Sequence, residues 1–167
     1  MKIQVGGLSQ GTHSYQFRVT PATLELDGRF KSDVKVDASL EKTATQIFLR
    51  VHVETEGSFD CDRCMTSFRL PLKGAYRIYY VWDGAEAEFL DPSEVQVLPQ
   101  SSSVVDITDD VRQTAILSVP FKLLCQTGCR GLCPQCGKNL NDESCTCRGD
   151  AGDVRWEALR MLRNNLS

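Results

Sequence analysis

With 167 residues, 41% of them hydrophobic and 25% charged, the chain is long enough to form one domain with a sizeable core and needs no covalent help to hold it. Its formal charge of −3 argues against a uniformly basic nucleic-acid binder, no run approaches the roughly 20 apolar residues of a membrane span, and the first residues, MKIQVGGLSQGTHSYQFRVT, lack the basic start and unbroken apolar run of a secretory signal. These features predict a cytoplasmic protein with no membrane partner, in a compartment where eight cysteines stay reduced and serve metal ligation in preference to disulfides.

The order Gly7-Leu8-Ser9-Gln10-Gly11 matches a nucleophile elbow only in its letters, because no apolar strand leads into it and no helix follows. From Tyr15 to Val81 apolar residues recur at every second position. The runs are Tyr15, Phe17, Val19; then Val34, Val36, Ala38, Leu40; then Ile47, Leu49, Val51, Val53. That period predicts half-buried antiparallel strands, and AYRIYYVW, 75–82, adds another of aromatic and branched residues. CDRC, 61–64, falls in a hairpin-like turn between two of these strands.

Between Asp83 and Asp110 lie eight acidic residues and no Lys or Arg, which leaves 19 basic against 14 acidic residues elsewhere, a formal +5. An acidic loop, 83–105, and a basic face can then serve different partners, ordinary solvated surface being the alternative. The centre of that loop, QSSSVVD, reads as a mobile connection. A short helix follows over 108–119, capped by Thr108, with Asp109 and Asp110 at the positive end of its dipole and Pro120 as its stop. After the cysteine cluster, DVRWEALRMLRNNLS reads as a final helix capped by Asp153, with Trp156, Leu159, Leu162 and Leu166 near one side.

The expected fold is α+β: a mostly antiparallel β-sheet or partly open barrel with two or three helices. Residues 1–120 form the β domain, and 121–167 form a cysteine-rich zinc-binding segment with a C-terminal helix packed on the same domain.

CDRC and CPQC, 133–136, both have the spacing that lets one turn deliver two thiolates to an ion at about 2.3 Å. Gly137 suits the left-handed position after a knuckle, and Gly128 and Gly131 are expected to serve the same tight turning. Eight thiols equal two closed four-thiolate zinc sites. The preferred grouping sets Cys61, Cys64, Cys125 and Cys129 in one and Cys133, Cys136, Cys145 and Cys147 in the other. The rival sets Cys61 and Cys64 against Cys133 and Cys136, and a single occupied site is a third arrangement. Thiolates close both spheres, so the zinc, one or two ions, is structural. The only histidines are His13 and His52, the latter on the polar Phe48, Arg50, His52, Glu54 face of its strand, so no catalytic residue and no small-molecule substrate is expected.

CDRC after strands, an acidic stretch, a helix ending SVPFKLLC, then CRGLCPQCGKNLN, CTC and a closing DVRWEALRML together resemble the YceD family over roughly residues 45 to 165. The resemblance implies a non-enzymatic, bacterial ribosome-biogenesis factor for accumulation and processing of large-subunit (23S) ribosomal RNA. Its partners would be that RNA or the precursor large subunit, and a processing nuclease or ribosomal protein; the expected mechanism is binding, either protecting the RNA or recruiting a processing nuclease through the acidic segment. Arg63, Arg69, Lys73 and Arg77 around the first knuckle, with Lys122, Arg130 and Lys138 around the second cysteine region, are the candidate phosphate contacts. The alternative for Arg63, Arg130 and Lys138 is neutralisation of thiolate sulfur. A zinc-stabilised protein-interaction module and a redox-switched chaperone are the rival functions.

Overall fold

A computed structural model of the chain describes residues 1–88 and 90–147. The final helix expected over 153–166 lies outside the described residues.

The alternating runs build the main sheet. Strands β2 (Gly11–Val19), β3 (Val34–Lys42), β4 (Gln46–Asp60) and β5 (Ser67–Val81) lie side by side in that order. β2 and β3 are antiparallel with Phe17 opposite Val36, and β3 and β4 are antiparallel with Leu40 opposite Leu49. Because side chains alternate across a strand, this register stacks the alternating apolar positions of β2, β3 and β4 on one face. Val34, Val36, Leu40, Ile47, Leu49 and Val51 are at most 1% exposed, while Lys35, Asp37, Arg50 and His52 face water.

Two further pairings were not legible as strands. The acidic segment contributes β6 (Val95–Val97), which adds to the sheet edge parallel to β5 with Tyr79 opposite Val95. The segment expected to be a mobile connection contributes β7 (Val104–Asp106), antiparallel to β1 (Lys2–Gln4) in a separate two-stranded sheet. Ser103 O accepts from both Val5 N and Gly6 N at 2.8 Å just beyond that pair.

One helix of more than a turn is present among the described residues, α2 (Thr108–Leu117). α1 (Gly84–Ala87) is a single turn capped by Asp83, and Pro21–Leu24 is a 3₁₀ turn capped by Thr20. Of the two or three helices expected, α2 is the one of more than a turn among the described residues. Thr108 does not cap α2 but opens it. The Asp106 carboxylate accepts from Thr108 N at 3.0 Å and from its hydroxyl at 2.6 Å, taking the role assigned to Thr108, because the end of β7 delivers a carboxylate two residues ahead of the helix. α2 buries Val111 and Ala115 and comes so close to β5 at Gly74 that a Cβ there would lie 2.6 Å from Thr114 Cγ2.

The described residues divide into two compact units, Met1–Phe59 with Ser67–Leu123, and Asp60–Thr66 with 124–147. The first holds every member of the buried apolar cluster found among the described residues. The second holds all eight cysteines.

Candidate metal centres

Two turns of the same design open the two centres. In the first, Cys61 N donates to Thr66 O at 3.0 Å and Met65 N to Cys61 O at 2.9 Å; in the second, Cys133 N donates to Lys138 O at 2.8 Å and Gly137 N to Cys133 O at 2.9 Å. The residue after the second cysteine is left-handed in both, Gly137 at φ 72° and Met65 at φ 59°. Glycine takes that conformation without a steric penalty, so the first turn holds a side chain in it at some cost, and Met65 is exposed. Gly131, also left-handed, has its Cβ position 3.1 Å from Arg63 O, where Leu132 N donates to the same oxygen at 3.1 Å. Gly128 has no such φ and nothing near its Cβ position, so the tight turning expected of it is not needed.

These turns gather the thiols into two sets. Cys61, Cys64, Cys125 and Cys129 bring four sulfurs within 4.8 Å of one another, and Cys133, Cys136, Cys145 and Cys147 do the same. Sulfur separations are 3.7 Å for Cys61 and Cys129, 3.6 Å for Cys64 and Cys125, and 3.6 Å for Cys136 and Cys145. A tetrahedron with metal–sulfur bonds of about 2.3 Å has edges of about 3.8 Å, whereas a disulfide needs about 2.05 Å. Both cages fit a four-coordinate cation.

Their electrostatics point the same way. Burial opposes ionisation of Cys61, yet backbone N–H groups of Cys125, Arg63 and Cys64 bring its thiol down to about 6. At Cys133 the N–H groups of Cys136 and Gln135 do likewise, also to about 6. Burial and the neighbouring Cys64 sulfur push Cys125 up to about 12, and the Cys145 and Cys136 sulfurs push Cys147 up to about 12. Each cage thus readily forms a first thiolate and resists accumulating more, a repulsion that a divalent cation removes.

The two cages differ in cover. Cys61, Cys64 and Cys129 are buried, with Cys125 half-buried; in the second set Cys136 and Cys147 are exposed. The first is also braced by side chains. Arg63 Nη1 donates to Cys129 O at 2.7 Å, and Asn141 Nδ2 donates to Cys129 Sγ at 3.3 Å while Asn141 Oδ1 accepts from Arg130 N at 2.8 Å. Asn141 escaped sequence reasoning, although the GKNLN run that holds it was part of the resemblance. Hydrogen bonds to ligand atoms tune affinity by about 10- to 100-fold. Asn141→Ala is therefore expected to weaken metal binding at the first cage by about tenfold in competition with a chromogenic chelator, and an unchanged affinity would leave Asn141 a loop residue only.

The seven candidate phosphate contacts fall in both units. Arg63, Arg130 and Lys138 lie with the cysteines, where Arg63 holds a backbone carbonyl and Lys138 pairs with Glu143 at 2.9 Å. Arg69, Lys73 and Arg77 share the outward face of β5, but pair with Glu56 at 3.4 Å, Glu54 at 2.6 Å and Glu94 at 2.9 Å. Lys122 is exposed in the first unit. No helix among the described residues is long and apolar enough to cross a membrane.

Comparison with known proteins adds identity to this geometry. The family model described as large ribosomal RNA subunit accumulation protein YceD matches residues 49–163, which include all eight cysteines. An uncharacterized protein of Mycobacterium bovis is 30% identical over 129 residues, 74% of this chain and 59% of the relative. A protein of Arabidopsis thaliana named large ribosomal RNA subunit accumulation protein YCED homolog 1, chloroplastic, is 29% identical over 68 residues, 41% of this chain and 21% of the relative. The Zea mays protein of the same name is 37% identical over 51 residues, 30% and 17% of the two chains. The matched stretch thus spans less than two thirds of these relatives' own length. No solved structure matches the chain.

Proposed function

The chain belongs to the YceD family of large ribosomal RNA subunit accumulation proteins, and from that premise we propose that it is a non-enzymatic cytoplasmic factor for accumulation and processing of 23S ribosomal RNA in a bacterial cell. It acts by binding that RNA or the precursor large subunit. The observation that carries this reading is the family match over residues 49–163, which takes in most of β4, all of β5 and β6, and both cysteine regions. Two structural zinc ions complete the protein, one in each thiol cage; all-thiolate donors at tetrahedral separations suit zinc and leave no open position for catalysis.

Loss of the protein is expected to lower mature 23S RNA relative to 16S RNA and to accumulate unprocessed large-subunit precursor, read by gel analysis of total RNA. An unchanged ratio with normal subunit profiles would remove the reading.

A second reading, a protein-interaction module within the same pathway, is favoured by one observation. Leu117 is 80% exposed and Phe121 fully so, beside the exposed Lys122. Large apolar side chains in water are a feature of protein contacts. A ribosomal protein or processing nuclease is the partner class this reading supplies.

A further inference from the structure

The outward face of the five-stranded sheet carries an arrangement that the cysteine chemistry does not explain. Phe48 on β4 and Tyr79 on β5 stack across the strands with ring centroids 4.6 Å apart and planes 30° from parallel. Arg50, two residues along β4 on the same face, holds its guanidinium carbon 5.3 Å from the centre of the Phe48 ring. Rings at such positions are commonly core residues, but the period of β4 turns Phe48 away from the buried Ile47 and Leu49.

Charge singles out Arg50. The neighbouring cations on this face, Arg77 and Lys73, are held by Glu94 and Glu54, and the Asp37 carboxylate opposite His52 accepts from Gln16 at 2.8 Å. Arg50 makes no ion pair among the described residues; its guanidinium rests on the Phe48 ring, which leaves its edge open to an incoming anion.

Space completes the picture. Ala75 on β5 leaves a hollow of about 510 Å³ between Arg50, His52, Arg77 and Ser93. On the other side of the same two residues lies a hollow of about 280 Å³ floored by β2 and β3, with Ser14, Gln16 and Ser39 at its edge. Arg50 and His52 line both, forming a ridge between two shallow, open depressions in series across the strands. A row of polar-edged hollows beside stacked rings suits a linear chain of unstacked bases with phosphates between them. Single-stranded RNA is read this way on other sheets, by aromatic stacking on the face and cation contacts to the backbone, with base edges and 2′-hydroxyls meeting small polar side chains.

We propose that this sheet face is a single-stranded RNA site, with Tyr79 and Phe48 as the stacking platform and Arg50 as the phosphate contact between two successive nucleotides. The inference rests on the ribosomal RNA reading above and gives that reading a surface.

The test uses the full chain loaded with zinc and a fluorescein-labelled single-stranded RNA of about 12 nucleotides, followed by anisotropy at several salt concentrations. Tyr79→Leu is expected to weaken binding roughly tenfold, as the loss of one base stack does. Arg50→Glu is expected to weaken it at least as much and to lower the salt slope by about one, with Arg50→Lys intermediate. Lys2→Glu, on β1 of the other sheet, is the charge control and is expected to match the wild-type chain. Circular dichroism melts verify that each variant folds. Variants that bind as wild type, equal loss in Lys2→Glu and Arg50→Glu, or equal affinity for duplex RNA would each overturn the site. Absence of single-stranded binding would overturn it too. In every such case recovery of 23S RNA with the wild-type protein from cells keeps the ribosomal reading, whereas failure of that recovery removes both.

Discussion

Replacing Cys129 with serine is expected to lower bound zinc from two ions per chain to one and to unfold the first cysteine cage while the β-sheet persists. Cys129 is 1% exposed, its sulfur lies 3.7 Å from that of Cys61, and Arg63 and Asn141 both converge on it. Loss of one thiolate from a closed tetrahedron leaves three anions around an ion with a weakened sphere. A structural zinc contributes on the order of 10 to 16 kcal/mol in small modules, comparable to the roughly 5 to 15 kcal/mol of a whole domain. Among the described residues the cysteine-rich unit contributes no member of the buried apolar cluster, so the metal is expected to be the main support of residues 60–66 and 124–147. Metal analysis of the purified variant, with amide resonances followed for Leu124 to Asn141 and for β3 and β4, separates the outcomes. Two zincs retained, or an unchanged spectrum in the cysteine region, would reject the assignment of Cys129 as a ligand.

The second large effect belongs to the sheet. Leu49→Ala is expected to destabilise the first unit by about 2 to 5 kcal/mol, seen as a lower midpoint in urea with the slope unchanged. Leu49 is 0% exposed and faces Leu40 across the β3–β4 ladder, in the middle of a cluster formed by Val36, Val51 and Val53. The strands' hydrogen bonds hold their spacing, so the neighbours close only part of the void. A loss below about 1 kcal/mol would mean that this layer is loosely packed, contrary to the burial. Zinc content should not change, which makes the pair of variants a test of whether metal and core contribute separately.

How much of this was legible beforehand depended on how many residues each element spends on its pattern. β2 to β5 run for nine to fifteen residues; the period declared β2, β3 and β4 with their buried faces, whereas β5 was read only in its second half, 75–82, from aromatic and branched residues. β1, β6 and β7 have three residues each, too few for a period, and β1 finds β7 about a hundred positions away. The acidic segment was read by charge, which hid β6 inside it. The preferred gathering of the thiols followed from the turns and their spacing, whereas Asn141 could be recognised only once its amide was seen to reach a sulfur. The cations of β5 were visible as cations, but their carboxylate partners on β4 and before β6 depend on register. Register likewise brings Tyr79 beside Phe48; the sequence placed Phe48 on the polar face without saying what it would meet there.

The first cage draws its thiols from two stretches that are made at different times. Cys64 and Cys125 are 61 residues apart in the chain, and at roughly 5 to 20 residues per second of synthesis the first pair of thiols leaves the ribosome about 3 to 12 seconds before the second. During that interval β5, β6, β7 and α2 are made one after another. The nascent chain therefore has a built-in order of events, in which the hairpin turn presents two cysteines early and the four thiols can close into one cage only when the strands between them have already had time to pair.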